Sequence, residues 1–315
     1  MSEKEIEYNY PQLPQKIFKN KSFLEKLEIL KKSPISNLSI ICDYDDTLTK
    51  RFFNGVKNRV SFGIIDQSSF ASNNLKEGAT NLFKKYSKFE LDTSIDFSLR
   101  DKSMYSWFEE CLILIINDKI SKKTMYDMVI ESINNNKMFF RNGMKTFFDF
   151  ILKLKIPLIL ISAGIKDVII YELKYLLKEK YDLLIENNLI HIIANDFIFN
   201  ENNIAIDIVK PIIYTFNKNK IIKDEISKYI NLNEQKLNVF FFGDHLNDIN
   251  ALDDIQNNIE NILSVAFWNY DESKLSNEFK EIYDAVVSED GDFFIINEVL
   301  KELSFKFNNC LNGNS

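Results

Sequence analysis

Histidine, cysteine, proline and glycine are all scarce in this chain of 315 residues, at two, three, five and eight copies. Two histidines, His191 and His245, exclude a His-rich metal cage and leave few candidates for a Ser-His-Asp triad. Cys42, Cys111 and Cys310 lie far apart and form no CxxC pair, which reads as a reduced, intracellular protein. Long apolar runs are also missing. The longest, Cys111–Ile116 and Ile156–Ile161, fall far short of the ~20 residues that span a bilayer. The start, Met1-Ser2-Glu3-Lys4-Glu5, is polar and has no signal-peptide core, so the expected location is cytoplasmic. Excess positive charge is absent too. A net charge of −7 argues against a nucleic-acid polymer or an anionic membrane as partner.

Apolar residues make up 45% of the chain and aromatics 13%, enough to fill a large core. An irregular arm is expected over residues 1–15, which hold Pro11 and Pro14, and a helix over 21–32, ended by Pro34. Ser39–Tyr44 is a short apolar run that stops on a carboxylate, as a buried parallel strand does at its active edge. Pro157–Ile161, Ile190–Ala194, Val239–Phe242, Ile262–Phe267 and Ala285–Val287 read as further strands, alternating with helices and followed by a last helix near 292–304. That alternation predicts an α/β fold with a doubly wound, parallel, Rossmann-like sheet.

The interval from Asp43 to Ser162 is several times a βαβ unit of roughly 30–40 residues. It carries helical periodicity: Leu75, Ala79, Leu82, Phe83 and Tyr86 after a capping pair Asn74/Glu77, then Met104, Trp107, Phe108, Cys111, Leu112 and Ile115, then Met125, Met128, Val129 and Ser132. The expectation is a helical cap at 55–140 inserted into a core of 1–54 and 141–315, placed over the edge where open α/β sheets bind ligands.

Four short segments carry chemistry. Asp43-Tyr44-Asp45-Asp46-Thr47 puts two carboxylates, Asp43 and Asp45, just past a buried strand. Like charges buried together need a compensating cation, and Mg²⁺ prefers such oxygens. One carboxylate can then attack phosphorus while the other shuttles the proton. Ser162-Ala163-Gly164, ahead of a helix, offers a hydroxyl and backbone N–H groups for phosphate. Lys218 offers an ammonium, and Gly243-Asp244 with Asp248 is a second strand ending in carboxylates. Singly, each has a bland reading as turn, loop or solvated charge. In this order, each at a strand end, they are specific.

Together these segments resemble the four motifs of the haloacid dehalogenase-like phosphatase superfamily. Asn142-Gly143-Met144-Lys145-Thr146-Phe147-Phe148, Ile156-Pro157-Leu158, Ser162-Ala163-Gly164-Ile165, Thr215-Phe216-Asn217-Lys218-Asn219 and Ser61-Phe62-Gly63-Ile64-Ile65-Asp66, with Trp107, narrow the resemblance to the cytosolic pyrimidine 5′-nucleotidase (cytosolic 5′-nucleotidase III) family over roughly residues 35–300. The resemblance implies a Mg²⁺-dependent 5′-nucleotidase that hydrolyses CMP and UMP through an aspartyl-phosphate; relatives also accept 7-methyl-GMP. It makes Asp43 the nucleophile and Asp45 the general acid/base, with Thr47 orienting them. Ser162, Ala163 and Lys218 would hold phosphate. Asp43, Asp45 (through its backbone carbonyl) and Asp244 would hold the metal, supported by Asp248. Glu90 would read the base, with Trp107, Phe108 and Cys111 lining the cap. Asp46, Gly63 and His245 depart from the family pattern. The expected partner is a small nucleoside 5′-monophosphate, and the expected state a monomer or weak dimer. A phosphatase for another small phosphoester and a non-catalytic nucleotide-binding protein are the competing readings.

Overall fold

The computed structural model describes residues 16–229 and 236–312, so the arm expected at 1–15 lies outside the described residues. Among the described residues, eleven strands are present in chain order: β1 (Ile17–Lys19), β2 (Leu38–Cys42), β3 (Phe52–Phe53), β4 (Val56–Lys57), β5 (Leu158–Ile165), β6 (Ile190–Asn195), β7 (Phe197–Phe199), β8 (Ala205–Ile208), β9 (Leu237–Gly243), β10 (Ile259–Phe267) and β11 (Ala285–Val287). Seven of them form the central sheet, in the order β1-β11-β10-β9-β2-β5-β6. All its pairings are parallel except that of β1, which adds antiparallel to β11 as an edge the periodicity did not reveal.

Chain order runs outward from β2 through β5 to β6, then returns to the other side of β2 and runs outward again from β9 to β11. The reversal falls between β2 and β9, which are neighbours. In doubly wound sheets a crevice opens at the carboxyl ends of the two strands flanking such a reversal. Both faces of the sheet are covered, so β2 is buried along its whole length and reads as continuous rather than alternating apolar sequence. Ile40, Cys42, Leu158, Leu160, Phe240 and Phe242 face α1 (Ser22–Lys32), α6 (Met144–Leu154), α7 (Lys166–Leu177), α8 (Glu179–Glu186) and α11 (Phe294–Asn312). Ile41, Ile159, Ile161, Val239 and Phe241 face α9 (Lys218–Ile226), a 3-10 segment Asp248–Asn258 and α10 (Asn277–Ile282).

Four helices lie between β4 and α6: α2 (Ser61–Asp66), α3 (Asn73–Leu91), α4 (Phe97–Asn117) and α5 (Lys122–Asn134). The hydroxyl of Ser72, not the Asn74/Glu77 pair, caps α3 by accepting from Leu75 N–H. Ile64, Leu75, Leu112, Met125 and Met128 form a separate apolar cluster. The hairpin β7–β8 joins that cluster through Phe197, Ala205 and Ile208, although it comes much later in the chain. The two connections to the inserted helices run side by side. Lys50 N–H donates to Phe139 O at 2.8 Å, Arg59 N–H to Lys137 O at 2.8 Å, and Phe53 stacks on Phe139. Among the described residues, no helix is long and apolar enough to cross a membrane.

Candidate active site

β2 and β9 deliver Asp43 and Asp244 to adjacent positions at the sheet's carboxyl edge, and Asp43 N–H donates to Phe242 O at 3.1 Å. Oxygens of Asp43, Asp244 and Asp248 lie within 4.8 Å of one another. Lys218, the first residue of α9, reaches in and donates to Asp43 Oδ1 at 2.6 Å and to Asp248 Oδ1 at 2.9 Å. The other oxygen of Asp248 accepts from the backbone N–H groups of Asp244 and His245 at 3.1 and 2.9 Å. Asp248 therefore orders both the loop and the lysine. Thr47 Oγ1 bridges Asp43 Oδ2 and Asp244 Oδ1 at 3.3 and 3.4 Å.

Asp45, two residues beyond Asp43, has its carboxylate elsewhere. Its Oδ1 accepts from Ser61 N–H at 3.1 Å and its Oδ2 from Ser61 Oγ at 3.2 Å, at the start of α2. The carboxylates brought together are thus Asp43, Asp244 and Asp248, with Asp45 held apart. Ser61 Oγ also accepts from Ile165 N–H at 3.1 Å, so one hydroxyl joins the inserted helices, the acid and the end of β5. The sequence suggests that Ser162-Ala163-Gly164 follows the strand as a loop. Instead it forms the last part of β5, where the pairing with β6 slips before Ile165. Ser162 Oγ accepts from Gly164 N–H at 2.9 Å. A Cβ on Gly164 would sit 2.3 Å from Ser61 Oγ and 2.9 Å from Asp45 Oδ2, so only glycine fits beside this pair.

Burial and charge divide these groups. Burial raises Asp43 to about 6 even with Lys218 beside it. Burial, then the charges of Asp43 and Asp46, raises Asp45 to about 7. Burial and the charges of Asp248, Asp46 and Asp43 push Asp244 well above the carboxylate range. Burial acts against Lys218, but Asp248 and Asp43 outweigh it and keep the ammonium protonated. Several carboxylates thus share one ammonium, a negative excess that a divalent cation would relieve.

Asp46, the extra carboxylate, has φ 60° and turns out of the cluster to pair with Arg51 at 2.5 Å. His245 is a turn residue: its Nδ1 accepts from Asn247 N–H at 3.2 Å and its carbonyl from Tyr283 OH at 2.7 Å. Glu90, near the end of α3, accepts from Thr215 Oγ1 at 3.1 Å. On α4, Trp107 stacks against Tyr86 and Phe108 packs edge-on against Phe62. Cys111 lies one turn on, and burial lifts its thiol to about 12.

Several positioning residues were not visible as such in the sequence. Asn195 ends β6, and its Nδ2 donates to Ala163 O at 2.7 Å and Ile213 O at 2.8 Å while its Oδ1 accepts from Ile213 N–H at 2.9 Å. It ties the end of β5 to the segment that leads to Lys218. Its signal was a polar residue closing an apolar strand, the same signal that marks Asp43 and Asp244. Asn269 Nδ2 donates to Asp244 Oδ2 at 3.2 Å and to Asp46 O at 3.0 Å. Arg141 is buried beneath the loop and donates to Thr47 O at 2.7 Å, Asp46 O at 2.5 Å, Asn269 Oδ1 at 2.6 Å, Gly291 O at 2.5 Å and Asp290 Oδ1 at 3.0 Å. Its guanidinium lies 4.1 Å over the ring of Phe267. Arg141→Met leaves these acceptors buried and unmet, and urea unfolding is expected to show a loss of about 3–5 kcal/mol. Arg141→Lys should recover only part of it, because an ammonium cannot reproduce the planar fork.

The sequence model described as Pyrimidine 5′-nucleotidase (UMPH-1) matches residues 46–304. A human protein named 7-methylguanosine phosphate-specific 5′-nucleotidase is 29% identical over 274 residues, covering 87% of each chain. The mouse protein of the same name is 27% identical over 269 residues, covering 85% of each. Cytosolic 5′-nucleotidase IIIB, solved bound to cytidine, superposes with a TM-score of 0.78 at 19% identity, over 93% of this chain and 95% of that one. Its likeness supports the fold, and the family match runs from just after Asp45 through the inserted helices and the core. With its mostly parallel α/β core, the chain belongs to the pyrimidine 5′-nucleotidase (UMPH-1) family and is a 5′-nucleotidase.

Proposed function

We propose that this protein hydrolyses CMP, UMP and 7-methyl-GMP to nucleoside and phosphate through a phosphorylated Asp43, with Mg²⁺ as cofactor. The observation that carries the reading is the separation of two neighbouring carboxylates. Asp43 sits in the acidic cluster against Lys218, whereas Asp45 is turned onto Ser61 and raised to about 7. Paired carboxyls whose environments differ in this way can divide the roles of nucleophile and acid.

Asp43 attacks phosphorus in line, and the P–O bond to the nucleoside breaks. Protonated Asp45 delivers its proton to the departing 5′-oxygen. Ionised Asp45 then takes a proton from water, which attacks the phosphorus of the aspartyl-phosphate and frees Asp43. Lys218 and the Ser162–Gly164 loop hold the equatorial oxygens. Asp43, Asp244 and the Asp45 carbonyl would hold Mg²⁺, with Asp248 supporting them. When bound, the ion supplies electrostatic stabilisation of phosphate charge.

The inserted helices supply base selection. Glu90 accepts from the exocyclic amine of cytosine or guanine, or from a ring N–H of uracil. Trp107 and Phe108 offer ring faces, which favour the cationic base of 7-methylguanosine. This reading divides the labour at boundaries near 55 and 140, with chemistry in the core and selection in the helices.

The test is phosphate release from CMP, UMP, 7-methyl-GMP, IMP, AMP and dTMP, after chelation and after Mg²⁺ is restored. Release led by CMP, UMP or 7-methyl-GMP is expected, falling at least roughly 10²-fold on chelation. Release led by IMP or AMP overturns the base reading, and release unaffected by chelation overturns the metal.

A further inference from the structure

Three consecutive side chains just ahead of Lys218 each touch an inserted helix. Tyr214 OH donates to Asp101 Oδ1 on α4 at 2.8 Å. Thr215 Oγ1 donates to Glu90 Oε1 on α3 at 3.1 Å. Phe216 packs against Phe97 at 5.5 Å and under the guanidinium of Arg100 at 5.1 Å. The same guanidinium closes the end of α3, donating to Phe89 O at 2.9 Å and Glu90 O at 2.8 Å. Glu90 is therefore fixed at its backbone by Arg100 and at its carboxylate by Thr215. A long acidic side chain near a helix end otherwise samples many rotamers, and each must be given up when it reads a base.

From this juxtaposition we infer that Thr215 is a specificity-determining positioning residue: it presets the Glu90 carboxylate for base recognition and ties it to the segment carrying Lys218. The inference rests on the reading of Glu90 as the base acceptor. With Thr215 on Oε1, Glu90 would offer Oε2 to a base donor. Because Thr215 and Lys218 share one short segment, which Asn195 holds to the end of β5, base and phosphate are gripped by a single rigid piece. Thr215 touches neither reacting atom.

The experiment compares kcat/KM for CMP with that for p-nitrophenyl phosphate, which has no base to read, in Thr215→Val, Thr215→Ser and Glu90→Ala. Valine keeps the shape and removes the donor. The CMP to p-nitrophenyl phosphate ratio should fall roughly tenfold in Thr215→Val, with the loss in KM for CMP, and return in Thr215→Ser. An unchanged ratio in Thr215→Val beside a lowered one in Glu90→Ala overturns this inference alone. So does an equal loss on both esters, which would place the effect at Lys218. An unchanged ratio in Glu90→Ala overturns the base reading itself.

Discussion

Asp43→Asn is expected to lower nucleotide hydrolysis by roughly 10⁵-fold or more, the scale on which removal of a covalent nucleophile acts. Asparagine keeps the size of the side chain and can still accept from Lys218, which retains Asp248 at 2.9 Å. The fold should survive, and an unchanged circular dichroism spectrum with a single cooperative melt is the control. The decisive readout is covalent. Acid quenching of the parent enzyme with labelled substrate should trap an acyl-phosphate on the peptide holding Asp43. The variant should trap none, and a phosphorylated Asp43→Asn protein would refute the assignment.

Asp45→Asn has the second largest expected effect, about 10²–10⁴-fold on CMP turnover, the usual worth of general acid–base help. Its signature is a change of pattern as well as of rate. With p-nitrophenyl phosphate the leaving group needs no proton, so the variant should still release a burst of p-nitrophenol and then stall. Phosphoenzyme accumulates, because hydrolysis of the intermediate needs the same residue as base. The pH profile gives a further check. Asp45 is raised to about 7 and must be protonated for the first step, so kcat/KM for CMP should decline as pH rises through that value. Asp45→Asn should remove this limb. A limb that persists unchanged assigns the titration elsewhere.

Much of the acidic cluster was legible because Asp43 and Asp244 finish buried strands. Asp43 and Asp244 each close an apolar run, and the parallel sheet turns that local pattern into spatial adjacency. The order of motifs then located Ser162 and Lys218. What stayed hidden depends on contacts between distant segments. Nothing around Arg141 announces that it supports residues 46 and 47, and nothing around Ser61 announces that its hydroxyl holds Asp45. Edge strand β1 is three residues long and the hairpin β3–β4 two residues a side, too short for periodicity to register. The short strands of the hairpin β7–β8, Phe197–Phe199 and Ala205–Ile208, lack apolar/polar alternation and give no sign that they pack against helices placed far earlier. In the Asn74/Glu77 pair the local cue was a plausible motif, yet Ser72, two residues before Asn74, took the position.

The paired strands at the base of the inserted helices bear on how such a protein can diversify. An insertion normally burdens its host with the entropy of closing a long loop, a cost that grows only slowly with length. Here entry and exit are already stitched together by Lys50 to Phe139, Arg59 to Lys137 and the ring pair Phe53–Phe139. The host sheet therefore meets a short, pre-closed junction whatever lies beyond it. Changes in the length or sequence of the helices act on an apolar cluster shared with Ile165, Val168, Ile212 and the β7–β8 hairpin, while the carboxylates and lysine stay anchored below. On the proposed reading, helix positions away from Ser61 and Glu90 can drift in their preference among leaving groups while the contacts to Asp45 and to the Lys218 segment are kept.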